Sequence, residues 1–166
     1  KIGCVNGMYA TSNGIGDIMQ IQVKQTYSKD ALSLHTTGNL EKVISESMNV
    51  AKTVAWNLLT TEEKNKVVET FINSGIHIHC PDSSTAKDGP SAGVAFTCAI
   101  YSLFTGKPIK NDIAITGEID LDGNITAIGG LDEKLSGAKR AGVKNVFVPL
   151  ENKRDILLLQ IGRAHV

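Results

Sequence analysis

Residues 76–105 read Ile76-His77-Ile78-His79-Cys80, then Pro81-Asp82-Ser83-Ser84-Thr85-Ala86-Lys87-Asp88-Gly89-Pro90, then Ser91-Ala92-Gly93-Val94-Ala95-Phe96-Thr97-Cys98-Ala99-Ile100-Tyr101-Ser102-Leu103-Phe104-Thr105. The first run is short, and its isoleucines recur at every second position, as a half-buried strand requires. The second is polar, ends on Gly-Pro and predicts a loop. The third is strongly apolar and long enough for a buried helix, with Gly106 and Pro108 to close it. A strand feeding a buried helix through a polar loop predicts a mixed α/β domain, short sheets packed with helices.

The flanking segments extend that pattern. From Ile2 to Val23 two strands are expected around the turn Ser12-Asn13-Gly14-Ile15-Gly16, with Met19, Ile21 and Val23 alternating against Gln20 and Gln22. A further strand is expected over 31–36. Gly38-Asn39 opens a helix whose core stripe is Leu40, Ile44, Met48, Ala51, Ala55 and Leu58. Thr60 and Glu63 form a capping box for a second helix, which Gly75 would end. Downstream, strands over 113–119 and 125–128 flank the turn signal Asp122-Gly123. A helix over 130–141 stops at Gly142, a strand follows over 143–148, and a short helix over 151–159. There is no internal repeat or linker, so residues 1–160 read as one domain.

Composition narrows the function classes. The chain has 166 residues, 42% of them hydrophobic and 5% aromatic, so Val, Ile, Leu and Ala must build the core. Seventeen basic residues balance seventeen acidic ones, which leaves no electrostatic footprint for nucleic acid. No apolar stretch reaches the roughly 18 residues of a membrane span. Cys4, Cys80 and Cys98 are scattered and odd in number, favouring a reducing compartment over a disulfide framework. Both ends read as cut: Lys1-Ile2-Gly3 leads straight into a strand with no initiator Met. Residues 161–166 resemble a translated sequencing adapter, a non-native tail to which no function is assigned.

Chemistry concentrates in Lys87–Gly93, which sets Ser91 between small residues at the start of the apolar helix. Small neighbours let a carbonyl approach the hydroxyl, and helix-start N–H groups suit a developing oxyanion. The plain alternative is that Ser91 merely caps the helix. Gly89-x-Ser91-x-Gly93 also matches a nucleophile elbow, but that fold needs a histidine downstream, and the only one is His165 in the suspect tail. His77 and His79 share one strand face; a triad with Ser91 would be squeezed into 77–91, and no third metal ligand has convincing spacing. Lysine remains, since burial can lower its pKa and make it a general base. Lys134 lies on an otherwise small, apolar helix face with Leu131, Leu135 and Ala138, although solvent is the usual fate of a lysine.

Four motifs taken together resemble one family: Lys87–Gly93, Thr116-Gly117-Glu118-Ile119, Ile128-Gly129-Gly130-Leu131-Asp132-Glu133-Lys134 and Glu151-Asn152-Lys153-Arg154-Asp155. In order and spacing they are similar to the proteolytic domain of A-type Lon proteases, in register from about Ile2 to Asp155. The resemblance implies the Lon proteolytic-domain fold, of the ribosomal protein S5 domain 2-like kind, and a serine endopeptidase acting on unfolded or damaged protein. It makes Ser91 the nucleophile and Lys134 the general base, with Thr116 hydrogen-bonded to the lysine. Asp88, Glu118 and His79 would border the site, alongside Gly89 and Pro90. A carboxylate close to Lys134 would raise its pKa, so the place of Asp88 matters.

The resemblance also implies a homo-hexamer, in the bacterial cytoplasm or an organelle matrix. ATP and Mg would be used by a separate ATPase module; no G-x-x-x-x-G-K-[ST] motif occurs here, so no cofactor is expected in this domain. Two departures stand out. Pro81–Ala86 replaces the family's usual Glu-Gly-Ala-Thr-Pro, and the strand and helix that normally follow Asp155 are missing. A non-catalytic interaction module and a small-ester hydrolase with the same dyad remain alternatives at this point.

Overall fold

The computed structural model describes residues 1–11, 13–38, 40, 42–81 and 89–164, with 160–164 by backbone alone. The strands are β1 (Cys4–Ala10), β2 (Gly16–Tyr27), β3 (Leu34–Thr37), β4 (Ser74–His79), β5 (Ile113–Ile115), β6 (Glu118–Ile119), β7 (Ile125–Thr126) and β8 (Asn145–Phe147). The helices are α1 (Lys42–Asn57), α2 (Thr61–Thr70), α3 (Gly93–Thr105), α4 (Leu131–Arg140) and α5 (Lys153–Ala164). Six strands form one mixed sheet in the order β3-β4-β2-β1-β5-β8, and β6 pairs with β7 in a separate hairpin. β2 is antiparallel to both β1 and β4, whereas β3 on β4, β5 on β1 and β8 on β5 are parallel.

Strand alternation divides the apolar residues between two layers. Met19, Ile21 and Val23 are all but inaccessible and face α3, in a core cluster that also takes in the buried side of α1. Met8 and Ile18, opposite one another in the β1–β2 ladder, point to the other face and pack with Ala114, Leu135 and Ala138, so α4 covers the back of the sheet. α3 is apolar almost all round because it is enclosed on several sides, by β1 and β2, by α1 and by β5. Its two buried hydroxyls are satisfied: Thr97 donates to Gly93 O (2.8 Å), and Ser102 accepts from Gly3 N (2.9 Å). Phe96 is fully buried in this layer, and truncating such a ring to alanine costs about 3–5 kcal/mol.

Several expected boundaries moved: β7 and β8 are shorter than the strands expected over 125–128 and 143–148, and the last helix runs over Lys153–Ala164 rather than 151–159. Four other shifts have a local reason. The third strand begins at Leu34 rather than Ala31, because Leu32 turns the chain with φ +61° and its carbonyl accepts from Lys52 Nζ. α1 stops at Asn57, so Leu58 is left 60% exposed and Leu59 turns into the core in its place. The capping box of α2 forms as expected, but that helix ends at Thr70. Asn73 supplies the left-handed residue, and Gly75 belongs to β4, where a Cβ would stand 2.6 Å from Ser33 O. The strand expected over 113–119 breaks at Thr116-Gly117. Thr116 N donates to Phe147 O, Gly117 N donates to Ser91 O, and the chain then leaves the sheet. That break builds the site.

Candidate active site

Ser91 sits in a 3-10 turn, Pro90–Ala92, just ahead of α3. Gly89 enters it at φ +123°, a conformation open to glycine, and Pro90 then fixes the first helical φ. The serine does not cap either helix: the N-cap positions belong to Gly89 and Ala92, and neither end has a side-chain cap. Its carbonyl accepts from Gly117 N at 2.8 Å and from the Thr116 hydroxyl at 3.4 Å. Val94 N returns a bond to Gly117 O at 3.1 Å, so 116–117 straps the turn from both sides. Gly93 N is used by Pro90 O. The strap leaves little room, since a Cβ on Gly93 would lie 3.0 Å from Ile119 Cγ2.

Lys134 arrives from the other side of the molecule, in the first turns of α4. Gly130 caps that helix in the left-handed region (φ +65°), while Asp132 and Glu133 at its start and Lys139 and Arg140 at its end complement the helix dipole. α4 lies directly on the first residue of β2. The Arg140 guanidinium donates to Gly16 O, and a Cβ on Gly16 would fall 1.8 Å from Glu133 O. So close an approach buries the face that carries Lys134, which is 4% exposed. Its amine reaches Ser91 Oγ at 3.0 Å. Burial pushes the Lys134 pKa below the usual lysine range, because desolvation penalises the ammonium form.

The other expected site residues divide. Gly89 and Pro90 shape the turn. Thr116 is buried beside Ser91, but its recorded bond goes to the serine carbonyl, not to the lysine. Glu118 is exposed on β6, the strand packed against the serine turn. His79 and His77 share a strand face, as their spacing implies, and both meet the Thr37 hydroxyl, at 2.6 and 2.9 Å. Asp88, the loop 82–87 and His165 lie outside the described residues. Among the described residues no group of three or more His, Cys, Asp and Glu could hold a metal ion, and no helix is long and apolar enough to cross a membrane.

Two contributors escaped the sequence reading. Gly16 looked like turn chemistry, since nothing local says that a helix more than a hundred residues away rests on it. Asn152, 1% exposed, was legible only as part of a motif. Its side chain accepts from Ile128 N and donates to Ile128 O, both at 3.0 Å, which holds the chain entering α4.

Comparison with known proteins gives the family of the chain. The model of the Lon protease (S16) C-terminal proteolytic domain matches residues 1–161. A Lon protease homolog of Acanthamoeba polyphaga mimivirus is 44% identical over 164 residues, covering 96% of this chain and 16% of that protein. The Lon protease of Fusobacterium nucleatum is 45% identical (93% of this chain, 20% of the relative), and the mitochondrial Lon protease homolog of Drosophila melanogaster is 40% identical (93% and 16%). The chain thus spans about a fifth or less of the length of these relatives. With an α/β sheet domain, a match along nearly its whole length and several relatives above 40% identity, the chain belongs to the family of Lon protease C-terminal proteolytic domains.

Proposed function

We propose that Ser91 and Lys134 form a catalytic dyad that hydrolyses peptide bonds through an acyl-enzyme. The observation that carries this reading is the buried Lys134 amine 3.0 Å from Ser91 Oγ. A lysine with a lowered pKa can stand neutral, and its lone pair then accepts the serine hydroxyl proton. Ser91 Oγ attacks the scissile carbonyl, forming a C–O bond as the carbonyl becomes an oxyanion. Backbone N–H groups at the serine turn, where the chain enters α3, would hold that oxyanion. The protonated lysine passes its proton to the departing amine as the C–N bond breaks. A water then gives Lys134 a proton, attacks the ester and releases the acid, and the proton returns to Oγ.

The same reading makes this chain the cutting part of a larger ATP-dependent protease, with ATP and Mg handled by a module outside it. Its substrates would be unfolded or damaged proteins, and its assembly a homo-hexamer. Relatives include bacterial and mitochondrial proteins, which suits a cytoplasmic or organelle-matrix setting. The test is cleavage of a fluorogenic peptide by the wild type, Ser91→Ala and Lys134→Ala. Both variants should lose at least about 1000-fold in rate; full activity in either one sinks the dyad.

A further inference from the structure

Asn152 is a fully buried amide whose oxygen and both N–H donors are all hydrogen-bonded. It accepts from Ile128 N (3.0 Å) and donates to Ile128 O (3.0 Å) and to Asp155 Oδ2 (2.8 Å). Pairing with both backbone groups of one residue copies a strand-to-strand contact, and Asp155 fixes which end of the amide is the donor. Ile128 occupies a special place in the chain. The segment before it runs back through β7 and β6 to Gly117, which holds the Ser91 carbonyl. The segment after it is Gly129-Gly130 and then α4, which carries Lys134. Two successive glycines hold their own conformation poorly, so the entry to α4 needs an anchor ahead of them. The strap on the serine and the helix of the lysine therefore meet at the residue that Asn152 grips.

We infer that Asn152 is a positioning residue for the dyad: it sets the Ser91–Lys134 separation by locking Ile128 between the strap and α4, and Asp155 orients it. This rests on the dyad reading given above. It predicts a rate defect in correctly folded molecules, which a purely structural role would not produce. A buried Asn whose loss only destabilised the fold would lower the number of competent sites and leave each remaining site at full speed.

The experiment uses a fluorophosphonate, which reacts with an activated serine without needing the rest of a peptide site. For the 166-residue chain, the labelled fraction, the maximal labelling rate and the half-saturating probe concentration are measured for wild type, Asn152→Ala and Asp155→Asn, with Ser91→Ala and Lys134→Ala as controls. The expected result for Asn152→Ala is a maximal rate down about 30-fold in the fraction that still labels, with half-saturation within about two-fold. Asp155 is exposed, so Asp155→Asn keeps the fold and should slow labelling about three-fold. A wild-type rate per labelled site in both variants overturns the inference, whatever the labelled fraction. If Asn152→Ala does not fold, Asp155→Asn alone decides: an unchanged rate overturns it. Labelling that persists in Ser91→Ala, or at full rate in Lys134→Ala, instead overturns the dyad reading beneath it.

Discussion

Replacing Gly16 with alanine should disable Ser91 without touching it. The new Cβ would stand 1.8 Å from Glu133 O, 2.3 Å from Glu133 C and 2.8 Å from Lys134 N. Real Cβ atoms keep at least 3.0 Å from such neighbours, and all three atoms are backbone, so no side-chain rotation relieves the clash. α4 must withdraw from β2 by about 1.2 Å. Lys134 travels with it, and because its stem is enclosed it cannot swing freely to recover the contact. The 3.0 Å separation from Ser91 Oγ then opens to roughly 4 Å, beyond hydrogen-bond reach. A misplacement of about 1 Å at a reacting centre costs on the order of 100-fold in rate. The strain itself costs about 1–3 kcal/mol, or a melting temperature lower by roughly 2–12 °C, so the variant should still be folded at 25 °C. Peptide cleavage and serine labelling at 25 °C, beside a thermal melt followed by circular dichroism, measure both effects. Gly7→Ala is the control, because its Cβ would make only ordinary contacts from 3.4 Å outward. A folded Gly16→Ala that cleaves within two-fold of wild type would refute the reasoning.

Three further outcomes follow from the same geometry. Lys134 has its pKa depressed in the folded protein, so the sign of its pH effects is set. The unfolded amine protonates as pH falls through about 10.5 while the folded one resists, so stability declines below that value and levels off once the folded amine is also charged. Lys134→Met should therefore abolish cleavage and raise the melting temperature at pH 7 by a few degrees (about 2–4 °C per kcal/mol), and in the wild type cleavage should rise with pH through the lowered lysine pKa; a less stable Lys134→Met contradicts this. Thr116→Val removes only a long 3.4 Å bond to the Ser91 carbonyl, which keeps its 2.8 Å partner Gly117 N, so cleavage should fall less than about 10-fold. A loss beyond about 100-fold would mean that the hydroxyl acts on the lysine instead. Thr60→Ala breaks the capping box of α2 and should cost about 1 kcal/mol in urea unfolding while leaving peptide cleavage unchanged.

Much of the architecture could be read from short-range patterns because its causes are short-range. The alternation of Met19, Ile21 and Val23 declares a strand with one buried face, and Thr60 with Glu63 declares a helix start, since each involves residues that touch within a turn or along a strand. Boundaries were misread where a distant partner intervened. Nothing in Ile113–Ile119 says that the chain must leave the sheet at Thr116, because the competing acceptors, Phe147 O and Ser91 O, are remote in sequence. Leu58 fitted the stripe of α1 by spacing, yet the helix ends one residue before it.

The serine and the lysine show the same division. Sequence alone determined that Ser91 lies between small residues at a helix start, that no downstream histidine outside the final residues could serve it, and that Lys134 lies where a Lon-type base is expected. It could not tell a capping serine from one turned toward an amine, or a solvated lysine from a buried one. Tertiary structure decided both, by seating α4 on Gly16 and strapping the serine turn with Thr116-Gly117. The physical reason is that a lysine becomes a plausible base only when packing strips water from it. That packing comes from residues far along the chain, which local spacing cannot encode.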